Sequence, residues 1–303
     1  LSQDTNAPNG FSNSFKVSIT TAEASLNAAS ACGISQPIEG QNLQMLAKGT
    51  ADAKQVTVSF WVKTNKTGTY QFELQDYDNA RNQVLSYTVN AANTWEYKTA
   101  TFDADTTGAF QNDAGASAYL QFFLFGGTNY TSGTVQSTWG SRSNANLMSP
   151  TMPNLADSTS NYWQITGFQL EVGSVATPFE HESYGDTLAK CQRYYEKSYN
   201  DGVAPATSTY EGVYTNGGMV NMPIANYTTR AGAVYKVTKR AVPTVVTYDT
   251  AGNTGKCNYP NTTTNRTFTV VHIGENSFTA ETSNLVNAND TRCYFHFTAD
   301  SEL

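Results

Sequence analysis

Val56, Val58, Phe60 and Val62 are apolar at every second position, with Thr57, Ser59 and Trp61 between them. That alternation lays one face of a strand on a core and turns Trp61 to the other face. The same period of two recurs in Phe15, Val17 and Ile19 within 13–21, and in Tyr70, Phe72 and Leu74 within 70–76. It predicts further strands at 84–89, 95–102, 119–125 and 163–172, and a short apolar run at 42–47 reads as another. About eight strands result, the count that a two-sheet jelly roll uses. Trp61, Trp95 and Trp163 lie in these strands and read as core. A polar turn rich in Thr, Asn and Gly covers 63–68, and 103–117 reads as an Asp/Thr/Gly loop. The segment 126–160 is far longer than a hairpin needs, and loops of that length are often functional.

The period changes at Tyr184. Tyr184, Leu188, Cys191 and Tyr195 share one helical stripe, which predicts a helix over 184–198. Ser183 is placed to cap it, and Asp186 stands near the positive end of its dipole. After a polar loop at 199–209, shorter strands are expected at 210–214, 219–224, 233–237, 244–248, 267–273, 277–280 and 292–297. Strands 267–273 and 292–297 are apolar on both faces, and a small β domain has little of its own to cover them. A partner subunit is the simplest remedy. The fold class is therefore all-β: a jelly-roll β-sandwich over 1–180, a short linking helix over 181–199, and a smaller C-terminal β domain over 200–303.

Composition removes several functions. Charged residues make up 14% of the chain and the net charge is -7, with no basic block. Nucleic-acid binding through phosphate neutralisation and attraction to an anionic membrane are both disfavoured. No apolar run is long enough to cross a bilayer as a helix. The four cysteines, Cys32, Cys191, Cys257 and Cys293, form no CxxC pair and no Cys/His metal spacing. They read as free thiols of a reducing cytosol, with a Cys257–Cys293 bridge as the alternative. No nucleophile elbow, zinc-protease helix, phosphate loop or dinucleotide fingerprint occurs. No cofactor is expected; oxygen-rich loops leave room for a structural Ca²⁺ without assigning a site.

Four runs carry a resemblance: Phe168-Gln-Leu-Glu-Val-Gly173, Ala176-Thr-Pro-Phe-Glu180, Ser183-Tyr-Gly185 and Cys191-Gln-Arg-Tyr-Tyr-Glu196. They are similar to the junction after the β-sandwich in bacteriophage tail-fibre and related virion proteins. The terminus Phe297-Thr-Ala-Asp-Ser-Glu-Leu303 resembles that family's chain end, and Thr57-Val-Ser-Phe-Trp-Val-Lys63 resembles a strand of its carbohydrate-binding-module-like jelly rolls. The resemblance implies a homotrimer in a virion tail appendage, made in the host cytoplasm. Its other partners would be virion proteins, joined through an N-terminal part missing before Leu1, which reads as a fragment or processed end. It also implies contact with a host-surface glycan.

For such a ligand the candidates are exposed aromatic rings flanked by planar polar groups. Asn129, Tyr130, Trp139 and Arg142 lie in the long segment, Tyr77 and Arg81 on the turn after the strand 70–76, and Tyr259 and Asn261 in a loop of the second domain. Trp139 has a second reading, as a packing staple that pins its loop to the sandwich. Glu73, Asp76 and Asp78 would be the carboxylates of a polysaccharide-cleaving enzyme, but solvation or ion pairing is the commoner fate of such groups. The expectation is a non-enzymatic receptor-binding virion component. The alternatives are a trimeric spacer or decoration module without ligand, and a depolymerase.

Overall fold

Where apolar residues alternate, strands form. A computed structural model of the chain describes residues 1–215, 227–258, 265–285 and 292–302. Internal contacts divide it into two units, Leu1–His181 and Glu182–Glu302.

The first unit contains β1 (Ser2–Asp4), β2 (Ser14–Ser18), β3 (Ala31–Glu39), β4 (Val56–Thr64), β5 (Gly68–Asp76), β6 (Arg81–Val89), β7 (Glu96–Phe102), β8 (Ala116–Gly126), β9 (Gly140–Ser141) and β10 (Tyr162–Val172). Two five-stranded antiparallel sheets result, in the orders β1-β2-β10-β4-β7 and β3-β8-β5-β6-β9. The apolar faces pack together as a β-sandwich. Phe60 meets Phe72, Tyr87 and Phe122 edge to face at 5.0–6.0 Å. Trp163 is fully buried, and its Nε1–H donates to the Tyr87 hydroxyl at 3.0 Å, which satisfies the one polar atom an indole brings into a core.

Local features depart from the expected pattern. The run 42–47 forms two 3₁₀ turns, Gly40–Asn42 and Gln44–Leu46. Leu43 and Leu46 are three apart and both buried, a helical spacing rather than a strand's. β3 is an edge strand with Pro37 in it, half-exposed and without clean alternation. Trp61 and Trp95 are not core: both are half-buried, and Trp61 pairs outside the sandwich with Tyr97 at 5.4 Å. In β10 the inward phase slips. Trp163 and Ile165 face the core, and so do Phe168 and Leu170. The slip is a bulge between Thr166 and Gln169, where Gly167 adopts φ +58° and a Cβ would meet the Phe11 ring at 2.5 Å.

The segment 126–160 is not an open loop. It carries α1 (Thr128–Thr131), β9 and two 3₁₀ turns. It builds a small apolar cluster on the outer face of the second sheet, in which Val84 and Phe123 meet Leu147, Met148 and Tyr130.

The second unit opens with α2 (Tyr184–Gln192), followed by β11 (Tyr195–Lys197), β12 (Tyr214–Thr215), β13 (Tyr227–Val234), β14 (Thr244–Tyr248), β15 (Lys256–Asn258), β16 (Asn265–Thr267), β17 (Thr269–Ile273), β18 (Ser277–Leu285) and β19 (Tyr294–Asp300). Ser183 caps α2, accepting from the Asp186 N–H at 3.2 Å. The helix stops at Gln192 because Tyr195–Lys197 pairs with β19. No residue of α2 is buried. β19 is the spine of this unit and pairs with β11, β12, β14 and β15. Phe295, Phe297 and Ala299 are fully buried on one of its faces and His296 on the other, so the cover that a two-faced strand requires is supplied within one chain. The expected strand at 219–224 lies outside the described residues.

Candidate functional site

Tyr70, Phe72 and Leu74 of β5 point into the core, so Gln71, Glu73 and Gln75 point outward. Register then defines a floor on the outer face of the second sheet. Glu73 stands opposite Gln121 of β8 and Val84 of β6; Gln75 stands opposite Tyr119 and Asn82. The 126–160 segment covers one end of this face, and Gln75, Tyr119 and Gln121 remain half-buried. Tyr77, 59% exposed, extends the floor, its ring edge-on to Tyr119 at 5.3 Å.

Arg142 is the wall. It follows β9, which pairs with the edge of β6, and its side chain crosses β6 to reach Glu73 on β5. Nη2 meets Glu73 Oε1 at 2.8 Å, and Nε lies 3.2–3.3 Å from both carboxylate oxygens. Nη1 donates to Asn144 Oδ1 at 2.9 Å. Glu73 is fully buried and also accepts from Asn82 Nδ2 at 2.8 Å. A buried carboxylate needs such partners. Among the described residues, the side-chain polar groups of Gln75, Gln121, Tyr77 and Tyr119 have no hydrogen-bond partner. Two amides, two phenols and the remaining Arg142 N–H groups are thus held on a rigid sheet with their bonding capacity unspent.

A second polar cluster closes the end of the core. Lys48 Nζ lies 2.5 Å from Asp76 Oδ2, 3.0 Å from Asp105 Oδ2 and 2.8 Å from the carbonyls of Thr107 and Gly108. The rings of Phe110 and Trp139 each lie 5.2 Å from the ammonium. Arg81 grips Asp105 through Nε and Nη2 at 2.9 and 3.0 Å. Burial pushes the Asp105 carboxyl up, but hydrogen bonds from Arg81 and Lys48 outweigh it and hold the group below the usual carboxylate range.

The sequence candidates therefore separate into groups. Tyr77 and Arg142 border the floor. Arg81 and Trp139 belong to the Lys48 cluster, where Trp139 packs on the core and its Nε1–H donates to the Asp103 carbonyl at 2.7 Å. Tyr130 packs in the apolar cluster under the long segment, beside the exposed Asn129. Tyr259 and Asn261 lie outside the described residues. Sequence reasoning missed Gln75, Tyr119, Gln121 and Lys48. The first three occupy outward positions of alternating strands, a signal available beforehand; which of them meet depends on register. Glu73 and Asp76 are three apart and so face opposite sides of the sheet, each in an ion pair, an arrangement unsuited to a glycosidase pair. Among the described residues no group of three or more His, Cys, Asp or Glu side chains could hold a metal ion, and no helix is long and apolar enough to cross a membrane.

No family model matches the chain, and no curated protein does. Among solved structures it is similar to the CBM22-1–CBM22-2 tandem of Paenibacillus barcinonensis Xyn10C, at 10% identity over 99% of this chain and 83% of that one, with a TM-score of 0.29. Discoidin II of Dictyostelium discoideum gives 11% over 98% and 86%, with a TM-score of 0.22. The PBSX exported protein XepA gives 10% over 94% and 84%, with a TM-score of 0.21. Scores this low carry no argument about the chain, whose sandwich is read from its own strand pairing.

Proposed function

We propose that this chain is a non-enzymatic, glycan-binding component of a bacteriophage virion, and that the sugar lies on the floor formed by Gln75, Tyr77, Tyr119 and Gln121 beside Arg142. The observation that carries the reading is the set of unspent polar groups on a rigid sheet. A pyranose presents C–H groups on one face and hydroxyl pairs at its edge. Tyrosine rings suit the first, and planar amides and a guanidinium suit the second. The jelly-roll assignment belongs to the same reading. Numbering only β2, β3, β4, β5, β6, β7, β8 and β10 as one to eight, the sheets run 1-8-3-6 and 2-7-4-5, an interleaving of two Greek keys. The virion setting and the homotrimer rest on the resemblance of the 168–196 junction.

The test is glycan binding by the full chain and by Tyr119→Ala and Gln75→Ala. Both side chains are half-buried on the outer face, so the variants are expected to lose binding with the melting temperature nearly unchanged. A chain that binds no glycan in a broad panel is the spacer module instead. Release of reducing ends from host polysaccharide would identify a depolymerase.

A further inference from the structure

Arg142 is the positive group nearest the floor, and its hydrogen bonds decide what it can read. A guanidinium recognises a carboxylate with a fork of two parallel N–H groups. The Nε/Nη2 fork of Arg142 is already closed on Glu73, at 2.8–3.3 Å. Glu73 is fully buried and its oxygens are engaged by Arg142 and Asn82, so this carboxylate does not swing aside for a competitor. Nη1 spends one N–H on Asn144. That leaves one N–H on each terminal nitrogen, able to bond hydroxyl oxygens, on a guanidinium whose charge the Glu73 carboxylate already balances. The ion pair also brings the local charge to zero, and the other floor groups, Gln75, Gln121, Tyr77 and Tyr119, are uncharged amides and phenols.

Resting on the glycan-binding reading above, we infer that the site selects neutral sugars and discriminates against uronic, sialic and sulfated ones. Glu73 is the specificity-determining residue, although it touches no ligand: it occupies the side-on fork of Arg142 and cancels the charge that would attract an acidic sugar. Buried, it works as a positioning residue through Arg142. A negative ligand would meet a net-neutral floor on a chain of net charge -7, where the Arg142 charge is already balanced by Glu73 and does not offset the ligand's desolvation.

The experiment is binding of the full chain to an immobilised glycan panel divided into neutral and acidic members, at low and at moderate salt. Wild type is expected to bind neutral members on the order of tenfold or more tighter than matched acidic ones, with little salt dependence. Glu73→Gln opens the fork and is expected to raise binding to acidic members, in a salt-sensitive manner, while neutral binding falls. Arg142→Gln keeps amide donors without the charge, and its neutral binding is expected to drop while acidic binding does not rise. Should Glu73→Gln fail to fold, the wild-type preference and Arg142→Gln still decide. Wild type that prefers acidic glycans, with that preference lost in Arg142→Gln, overturns the neutral-sugar inference alone. Absence of any binding sensitive to Tyr119→Ala overturns the site itself and the inference with it.

Discussion

Replacing Lys48 by Met is the sharpest probe of what holds the first unit together. Met keeps most of the hydrocarbon stem against Phe110 and Trp139 and deletes the ammonium. Four oxygens lose their donor: Asp76 Oδ2, Asp105 Oδ2 and the carbonyls of Thr107 and Gly108. Asp105 retains Arg81, but Asp76 is fully buried and retains only Asn79 among its side-chain partners. Removing one partner of a buried ion pair strands the other charge, at a cost of about 3–5 kcal/mol. For a unit of this size that is a fall of roughly 6–20 °C in melting temperature. All four tryptophans, Trp61, Trp95, Trp139 and Trp163, lie in the first unit, so urea unfolding followed by tryptophan fluorescence reports on that unit alone. Adding Asp76→Asn to Lys48→Met removes the stranded charge, and the double variant is expected to be more stable than the sum of the single changes. The pH dependence has a definite sign. The Asp105 carboxyl is held below its ordinary value, so its stabilisation is full above about pH 4 and lost as pH falls through the lowered folded value. A loss under about 1 kcal/mol in Lys48→Met, the scale of an exposed pair, would refute the account of a buried, mutually dependent cluster.

Trp139→Ala is expected to lower the unfolding free energy of the first unit, read from urea titration, by less than the ~3–5 kcal/mol of a fully buried Trp, and to leave glycan binding intact because the ring faces Lys48 rather than the floor. In the second unit, burial pushes the His296 imidazole below its ordinary value, partly countered by its hydrogen bond to the Thr209 carbonyl. Its neutral form, stacked on Tyr199 at 4.1 Å, is the folded form. Stability of this unit should therefore be full above about pH 6.5 and decline as pH falls below it, and His296→Gln should flatten that decline in circular-dichroism melts. Assembly is expected to be trimeric; light scattering that finds a stable monomer at micromolar concentration removes that part of the reading.

The strands of the first unit were legible because one face of each meets the core and the other does not, so β4 and β5 write a period of two into Val56–Val62 and Tyr70–Leu74. The all-β class followed from repetition of that signal, and so did the outward direction of Trp61. Where a strand is an edge, as β3 is, half its surface stays wet and the alternation fades; where a turn is built on Leu43 and Leu46, a short apolar run imitates a strand. The phase slip at Gly167 was hidden for a different reason: a bulge is a choice of backbone dihedral, permitted by glycine and required only by the neighbouring strand. The candidate site was less legible still. Residue types suggested Tyr77 and Arg142, and the length of the 126–160 segment drew attention to its neighbours. But Trp139 and Arg142, three residues apart, part company across the sheet, one packing on the core and the other lying over the outer face. Gln75 is separated from Tyr119 and Gln121 by more than forty residues of chain and meets them only because β5 pairs with β8 in one register. Periodicity is a local property, set by each strand's own two faces, and the sequence carries it openly. Adjacency across strands is set by pairing over long loops, and the closing of Arg142 on Glu73 depends on that pairing, so only the tertiary structure decided it.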